Sequence, residues 1–153
     1  MAWQAGYVEG YVERLWPAWW LWLVVLLLGA GFGLVVAPFG APVMIVVAVA
    51  SAAVLGGLLL ASTAAVGIER GCFVAGRARI PLEFLGPAEV LDAAAMQQAR
   101  GPGLDARAYL CVRGWIGPGL RVPVTDPEDP VPYWLVSSRR PRQMADALTR
   151  ARA

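Results

Sequence analysis

The chain has 153 residues, of which 58% are hydrophobic, above the roughly 45–50% of ordinary soluble domains. Its formal net charge of only +2 excludes the strongly basic surface typical of nucleic-acid binding. There is no His, which removes the commonest general base and the commonest metal ligand together.

Residues 1–14 read as a short cytoplasmic segment ahead of the membrane. From Leu15 to Ile68 there is no charged residue, a run long enough for two bilayer-spanning helices of roughly 20 residues each. The first, about 15–36, would be ~33 Å long at a rise of ~1.5 Å per residue. Pro17 suits a first helical turn, and Trp16, Trp19, Trp20 and Trp22 form an aromatic belt at one end. APFGAP, Ala37 to Pro42, breaks the helix and makes a tight connection. The second span covers about 42–66 within Pro42 to Ile68 and stops before Glu69 and Arg70. Arg14 precedes the hairpin and Arg70, Arg77 and Arg79 follow it, whereas the connection has no basic residue. By the positive-inside rule this is a two-pass protein of the plasma membrane with both termini cytoplasmic. A cleaved signal peptide, with AVAS at Ala48 to Ser51 as its cleavage site, competes, but signal cores run only ~7–15 apolar residues. Gly29 and Gly33, and the series Ala53, Gly57, Ala61 and Ala65, allow close helix approach, either inside the hairpin or between copies in a homo-oligomer.

Residues 69–153 are patterned mainly for β structure. GCFVAG and ARIPLEFL are two strands joined at Gly76, and Asp92 to Arg100 is a short helix with Asp92 as its cap and Gly101 past its end. AYLCVRGWI, Ala108 to Ile116, alternates, with Leu110, Val112 and Ile116 on one face and Tyr109, Cys111, Arg113 and Trp115 on the other. After a turn at Gly117 to Gly119 comes a strand over Leu120 to Val124, with Pro123 at an edge or bulge. The acidic turn DPEDP separates it from a strand at Tyr133 to Ser137, and a C-terminal helix runs over about 139–151 with Met144 and Leu148 on its apolar stripe. The predicted fold is therefore an α+β membrane protein: an N-terminal transmembrane helical hairpin, then a small antiparallel β domain with a C-terminal helix. That arrangement resembles the pleckstrin-homology-like modules of other membrane proteins, a likeness of fold alone. Cys72 and Cys111 lack CxxC spacing and read as buried thiols on the reducing side.

GPG lacks the Lys and Ser/Thr of a phosphate loop. Asp126, Glu128 and Asp129 carry oxygen ligands suited to Mg²⁺, but the prolines among them write a turn, and no nucleophile or base accompanies them. No catalytic, cofactor or metal residues are assigned. The candidate interaction surface is Arg113, Trp115, Arg121, Tyr133, Trp134, Arg139 and Arg140, with Arg70, Arg77, Arg79 and Arg142 as further groups able to face anionic lipid.

YVERLWPAWW, ARIPLEFL and above all DPEDPVPYWLVSSRRP resemble the DUF3093 family, uncharacterised actinobacterial two-span membrane proteins. In those relatives the last segment reads DPxDPTPYWLVSTRRP, so Val131 and Ser138 stand where Thr is usual. The resemblance implies a cell-membrane protein without an assigned activity. The expected function is a membrane-anchored, non-enzymatic module that presents its cytoplasmic domain to a protein partner or the inner leaflet. The alternative is an oligomeric transport or channel accessory subunit.

Overall fold

A computed structural model describes residues 10–152, which form two compact units: Trp16–Thr63, and residues 10–15 together with 64–152.

The first unit is a pair of helices, α1 over Trp19–Val35 and α2 over Ala41–Ala61, joined by a single 3-10 turn at Ala37–Phe39. Helix α1 starts later than its hydropathy suggests. Ala18 is its extended N-cap, so Pro17 lies just outside the helix instead of in its first turn. In α2, Pro42 does occupy the first turn, where its missing N–H has no intrahelical acceptor to lose. Gly29 and Gly33 are the buried residues of α1. A Cβ at Gly33 would come within 2.7 Å of the Ala48 methyl, and one at Gly29 within 2.8 Å of the Ala52 methyl. These glycines therefore serve contact inside the pair. The second small-residue series faces outward, with Ala53 and Gly57 exposed. Among the described residues only α2 is long and apolar enough to cross a membrane; α1, equally apolar, has 17 residues.

The uncharged run does not continue as helix to Ile68. Helix α2 ends at Ala61, and the chain becomes a strand at Ala65. Val66 and Ile68 are buried in the β unit, so its core residues follow the helix in an unbroken apolar run and conceal the boundary.

The second unit holds two four-stranded sheets. The first has the order β1 (Val12–Arg14), β2 (Ala65–Glu69), β3 (Cys72–Ala75), β4 (Ala78–Pro81), every pair antiparallel. Strand β3 turns into β4 at Gly76, where φ is +66°, and β2 turns into β3 through Arg70 and Gly71, both at positive φ. Strand β1 was not foreseen: Val12–Arg14, within the segment read as lying ahead of the helices, pair with β2. The second sheet has the order β5 (Glu89–Leu91), β7 (Gly119–Pro123), β8 (Tyr133–Ser137), β6 (Tyr109–Cys111). Its pairs are antiparallel except β6 with β8, which run parallel, so the sheet is mixed. Strand β6 is also shorter than its alternating pattern; Cys111, read as a buried thiol, is buried, and Leu110 on the opposite face is exposed.

Helix α3 (Ala93–Arg100) begins as its sequence dictates, with Asp92 Oδ1 accepting from the Ala95 N–H at 2.7 Å. Helix α4 (Pro141–Arg152) packs its Met144, Ala147 and Leu148 face against β2, β5 and β7. Strand β8 is buried on both sides. Trp134 and Val136 join Phe73, Val66 and Met144 in the main core, whereas Leu135 joins Met96, Leu91 and Ala99 under α3. Burying a side chain such as Phe73 contributes on the order of 2–3 kcal/mol, so this two-sided core is what holds the sheets in register.

Candidate functional site

The seven residues expected to share an interaction surface are dispersed. Trp134 is only 5% exposed, its ring 5.8 Å from that of Phe73 and 4.5 Å from that of Tyr109. It is a core residue. Trp115 is half-buried against the same core. Arg121 and Tyr133 do meet: the guanidinium lies 5.2 Å from the tyrosine ring centre and 3.4 Å from Glu89. Tyr133 is also engaged through its hydroxyl, which accepts from the Asp105 N–H at 2.9 Å. Arg113 follows β6, where its N–H donates to Ser137 Oγ at 2.9 Å and its Nη1 donates to the Val112 carbonyl at 3.1 Å. Arg139 and Arg140 are exposed before α4. These positions comprise a core tryptophan, an outer Arg–Tyr–Glu contact and a helix start, on different parts of the fold.

Sequence reasoning missed Glu13. Its Oε2 accepts from Ser138 Oγ at 2.5 Å, and its Oε1 from the Arg139 N–H at 2.7 Å. Ser138 is fully buried, and its hydroxyl oxygen accepts from the Arg140 N–H at 3.1 Å. The Arg140 carbonyl takes the first helical bond, from the Met144 N–H. Arg140 thus stands at the cap position of α4, with Ser138 holding its N–H from the preceding turn. The carboxylate in YVERLWP therefore fastens β1 to the SSRRP segment, far away in the chain.

The acidic turn is occupied by its own backbone. Asp126 Oδ1 accepts from the Glu128 N–H, and Asp129 Oδ1 from the Val131 N–H, both at 2.9 Å. These are Asx turns of the kind that Asp favours. Among the described residues there is no group of three His, Cys, Asp or Glu able to hold a metal ion. Asp105, on the surface, is pulled down to about 2 by hydrogen bonds from Arg107.

Cys111 is 3% exposed, and burial pushes its thiol up, an effect only partly opposed by the Arg113 charge. Cys72 is half-buried. Maleimide on the native chain is expected to add one label, at Cys72, with the second appearing only in denaturant; intact-mass measurement distinguishes the two. Two rapid additions would contradict the burial of Cys111. A raised folded pKa means that the stability linked to the neutral thiol is fully present below its unfolded value near ~8.5. That stability is lost as pH rises through the folded value.

One end of the first sheet has the geometry of a chain crossing. The Leu15 N–H donates to the Ala64 carbonyl at 2.9 Å, so the chain leaves and re-enters the β unit at adjacent points. Arg14 pairs with Ala65, whose carbonyl accepts from the Gly76 N–H at 2.8 Å. The β3–β4 turn, with Arg77 exposed, therefore sits on the same edge. Tyr109 closes the edge by donating from its hydroxyl to the Ala75 carbonyl at 2.8 Å. In the helical unit, an apolar groove of about 530 Å³ lies between Leu27, Leu34, Met44, Ile45 and Val49. It offers almost no polar group for recognition.

Residues 10–148 match a protein family described as "Protein of unknown function (DUF3093)". No curated protein and no solved structure matches the chain.

Proposed function

The chain belongs to the DUF3093 family of unknown function, and from that premise we propose that it is a membrane-anchored, non-enzymatic module whose β unit is held at the cytoplasmic surface by a two-span helical hairpin. The observation that carries this reading is the surface of the helical unit. Leu27 is 75% exposed, Leu34 69% and Val46 66%, and the unit has no charged residue with which to meet water. A helix apolar all round is stable in a protein core or in lipid, and α2 is scarcely buried. Lipid is the environment that suits it. At 17 residues α1 falls at the short end of the spanning range, ~17–25 residues, and Trp19, Trp20 and Trp22 suit the interface beside it. The arginines on either side support cytoplasmic termini.

Two sheets and a C-terminal helix support a pleckstrin-homology-like reading of the β unit, in which a protein partner or the inner leaflet is the ligand; the parallel β6–β8 pair is its departure from an all-antiparallel design. An accessory role in transport receives less support, because polar or ionisable groups usually mark an ion path and neither helix has an ionisable one.

Alkaline carbonate extraction and protease protection test the anchor. The full chain with a C-terminal tag is expected to stay in the membrane pellet, and the tag to be digested only in inverted vesicles. Release by carbonate, or digestion from the outer side of sealed cells, would refute the reading.

A further inference from the structure

The edge of the first sheet beside the chain crossing differs from its opposite end in one respect that matters for a tethered module. Leu15 and Ala64, the last and first residues of the β unit around the helices, are hydrogen-bonded to each other. Whatever surface the helices occupy, this edge is the part of the β unit closest to it along the chain. Two exposed arginines lie on it, Arg14 at the end of β1 and Arg77 in the β3–β4 turn. Neither has an acidic partner among the described residues. The nearest carboxylate in sequence to Arg14, Glu13, is spent on Ser138 and Arg139.

A third arginine lies in the same neighbourhood. A Cβ at Gly76 would be 3.7 Å from Cys111 Sγ and 3.8 Å from the Tyr109 hydroxyl, so β6 adjoins this turn. Arg113 follows β6, and its charge acts on both side chains. Its Nε is buried without a hydrogen-bond partner. By contrast, Arg70 occupies the β2–β3 turn at the far end of the sheet, just past Glu69, which is itself four residues along β2 from Ala65, or about 13 Å at ~3.3 Å per residue.

We infer that Arg14 and Arg77, with Arg113 behind them, form a headgroup-binding edge that takes the phosphates of anionic lipids at the membrane surface. The inference rests on the anchor reading and adds to it a location and a ligand class. Guanidinium groups suit the task, since each presents a planar fork of N–H donors matched to phosphate oxygens. Of the arginines available to face lipid, position along the sheet separates Arg77 from Arg70.

The test uses the purified full chain in nanodiscs of phosphatidylcholine mixed equally with phosphatidylglycerol, and native mass spectrometry of the lipids retained on release. A basic residue near an anionic surface is worth about fivefold in partition. Wild type is expected to retain phosphatidylglycerol over phosphatidylcholine by roughly tenfold or more, and Arg14→Gln or Arg77→Gln to lower that ratio about threefold to fivefold each. Arg70→Gln removes the same charge from the far end and leaves the ratio unchanged. Both edge side chains are exposed, so the Gln variants keep the fold; Arg14→Lys and Arg77→Lys retain charge and most of the preference. Equal retention of the two lipids by wild type would overturn the inference and leave the anchor standing. An equal loss in Arg70→Gln would overturn it as well, by showing that net charge and not the edge sets the preference. A chain that never enters the discs would overturn both. Preference for an acidic peptide added in solution over phosphatidylglycerol would assign the edge to a protein and refute the lipid assignment.

Discussion

Trp134→Ala is expected to destabilise the β unit by about 3–5 kcal/mol, the range for removing a large aromatic side chain from a core. Trp134 touches both sheets: it pairs with Val122 in the second sheet and packs its ring, tilted, against Phe73 of the first and Tyr109 of β6. Its removal leaves a space that strands on either side, held by their own ladders, cannot close. A domain's total stability is commonly about 5–15 kcal/mol, so the loss is a large fraction of what this small unit has. Pulse proteolysis of the full chain across a urea series measures it, with Trp134→Phe expected to retain more than half of the lost stability. The outcome separates two roles for this residue. A side chain presented to a partner at the surface would change stability by no more than about 0.5 kcal/mol when truncated.

Trp134 shows what the pattern of a short strand does not reveal. YWLVS was legible as a strand because it is β-branched and aromatic and follows a proline-rich turn, yet alternation cannot reveal that β8 is covered on both faces. A central strand buried by α3 on one side and by the main core on the other needs apolar residues throughout. Features with local causes were readable: the Asp92 cap, the Gly76 turn, the proline break between α1 and α2 and the apolar stripe of α4. Those with distant causes were not. Strand β1 is three residues long and contains two charges, and it exists because β2 lies alongside to pair with it. Gly67 permits that pairing, since a Cβ there would run into the Tyr11 carbonyl oxygen. The change from helix to strand near Ala64 was hidden for a related reason. The exposed residues of the helical pair and the core residues of the β unit are both apolar, and hydropathy does not distinguish the two environments. The parallel β6–β8 pair depends on where β7 crosses, a property of topology and not of any short segment.

Glu13→Ala is expected to cost about 2–3 kcal/mol and, unlike most substitutions at a charged residue beside a chain crossing, to act on the C-terminal helix. Besides a long hydrogen bond from the neighbouring Tyr11 hydroxyl at 3.4 Å, the carboxylate accepts two from the SSRRP segment, and bonds to a charged group are worth about 1.5–3 kcal/mol. Of the two donors, the Arg139 N–H lies beside an exposed side chain and can turn to water. The Ser138 hydroxyl is fully buried and cannot, so its lost partner carries most of the cost. Ser138→Ala removes the same bond from the other side together with the acceptor for the Arg140 N–H, loosening the first turn of α4. The two residues therefore share one interaction, and the double variant Glu13→Ala/Ser138→Ala should cost less than the sum of the single variants by about 1–2 kcal/mol. Urea unfolding of the four proteins completes the cycle, and hydrogen exchange of α4 amides reports which end of the unit opens first. Strictly additive costs would mean that β1 and the SSRRP segment are held independently. A coupling of the expected size would explain why a carboxylate just ahead of the helices and a hydroxyl just ahead of α4 belong to the same chain: together they tie the strand that leads into the helical pair to the helix that closes the β unit.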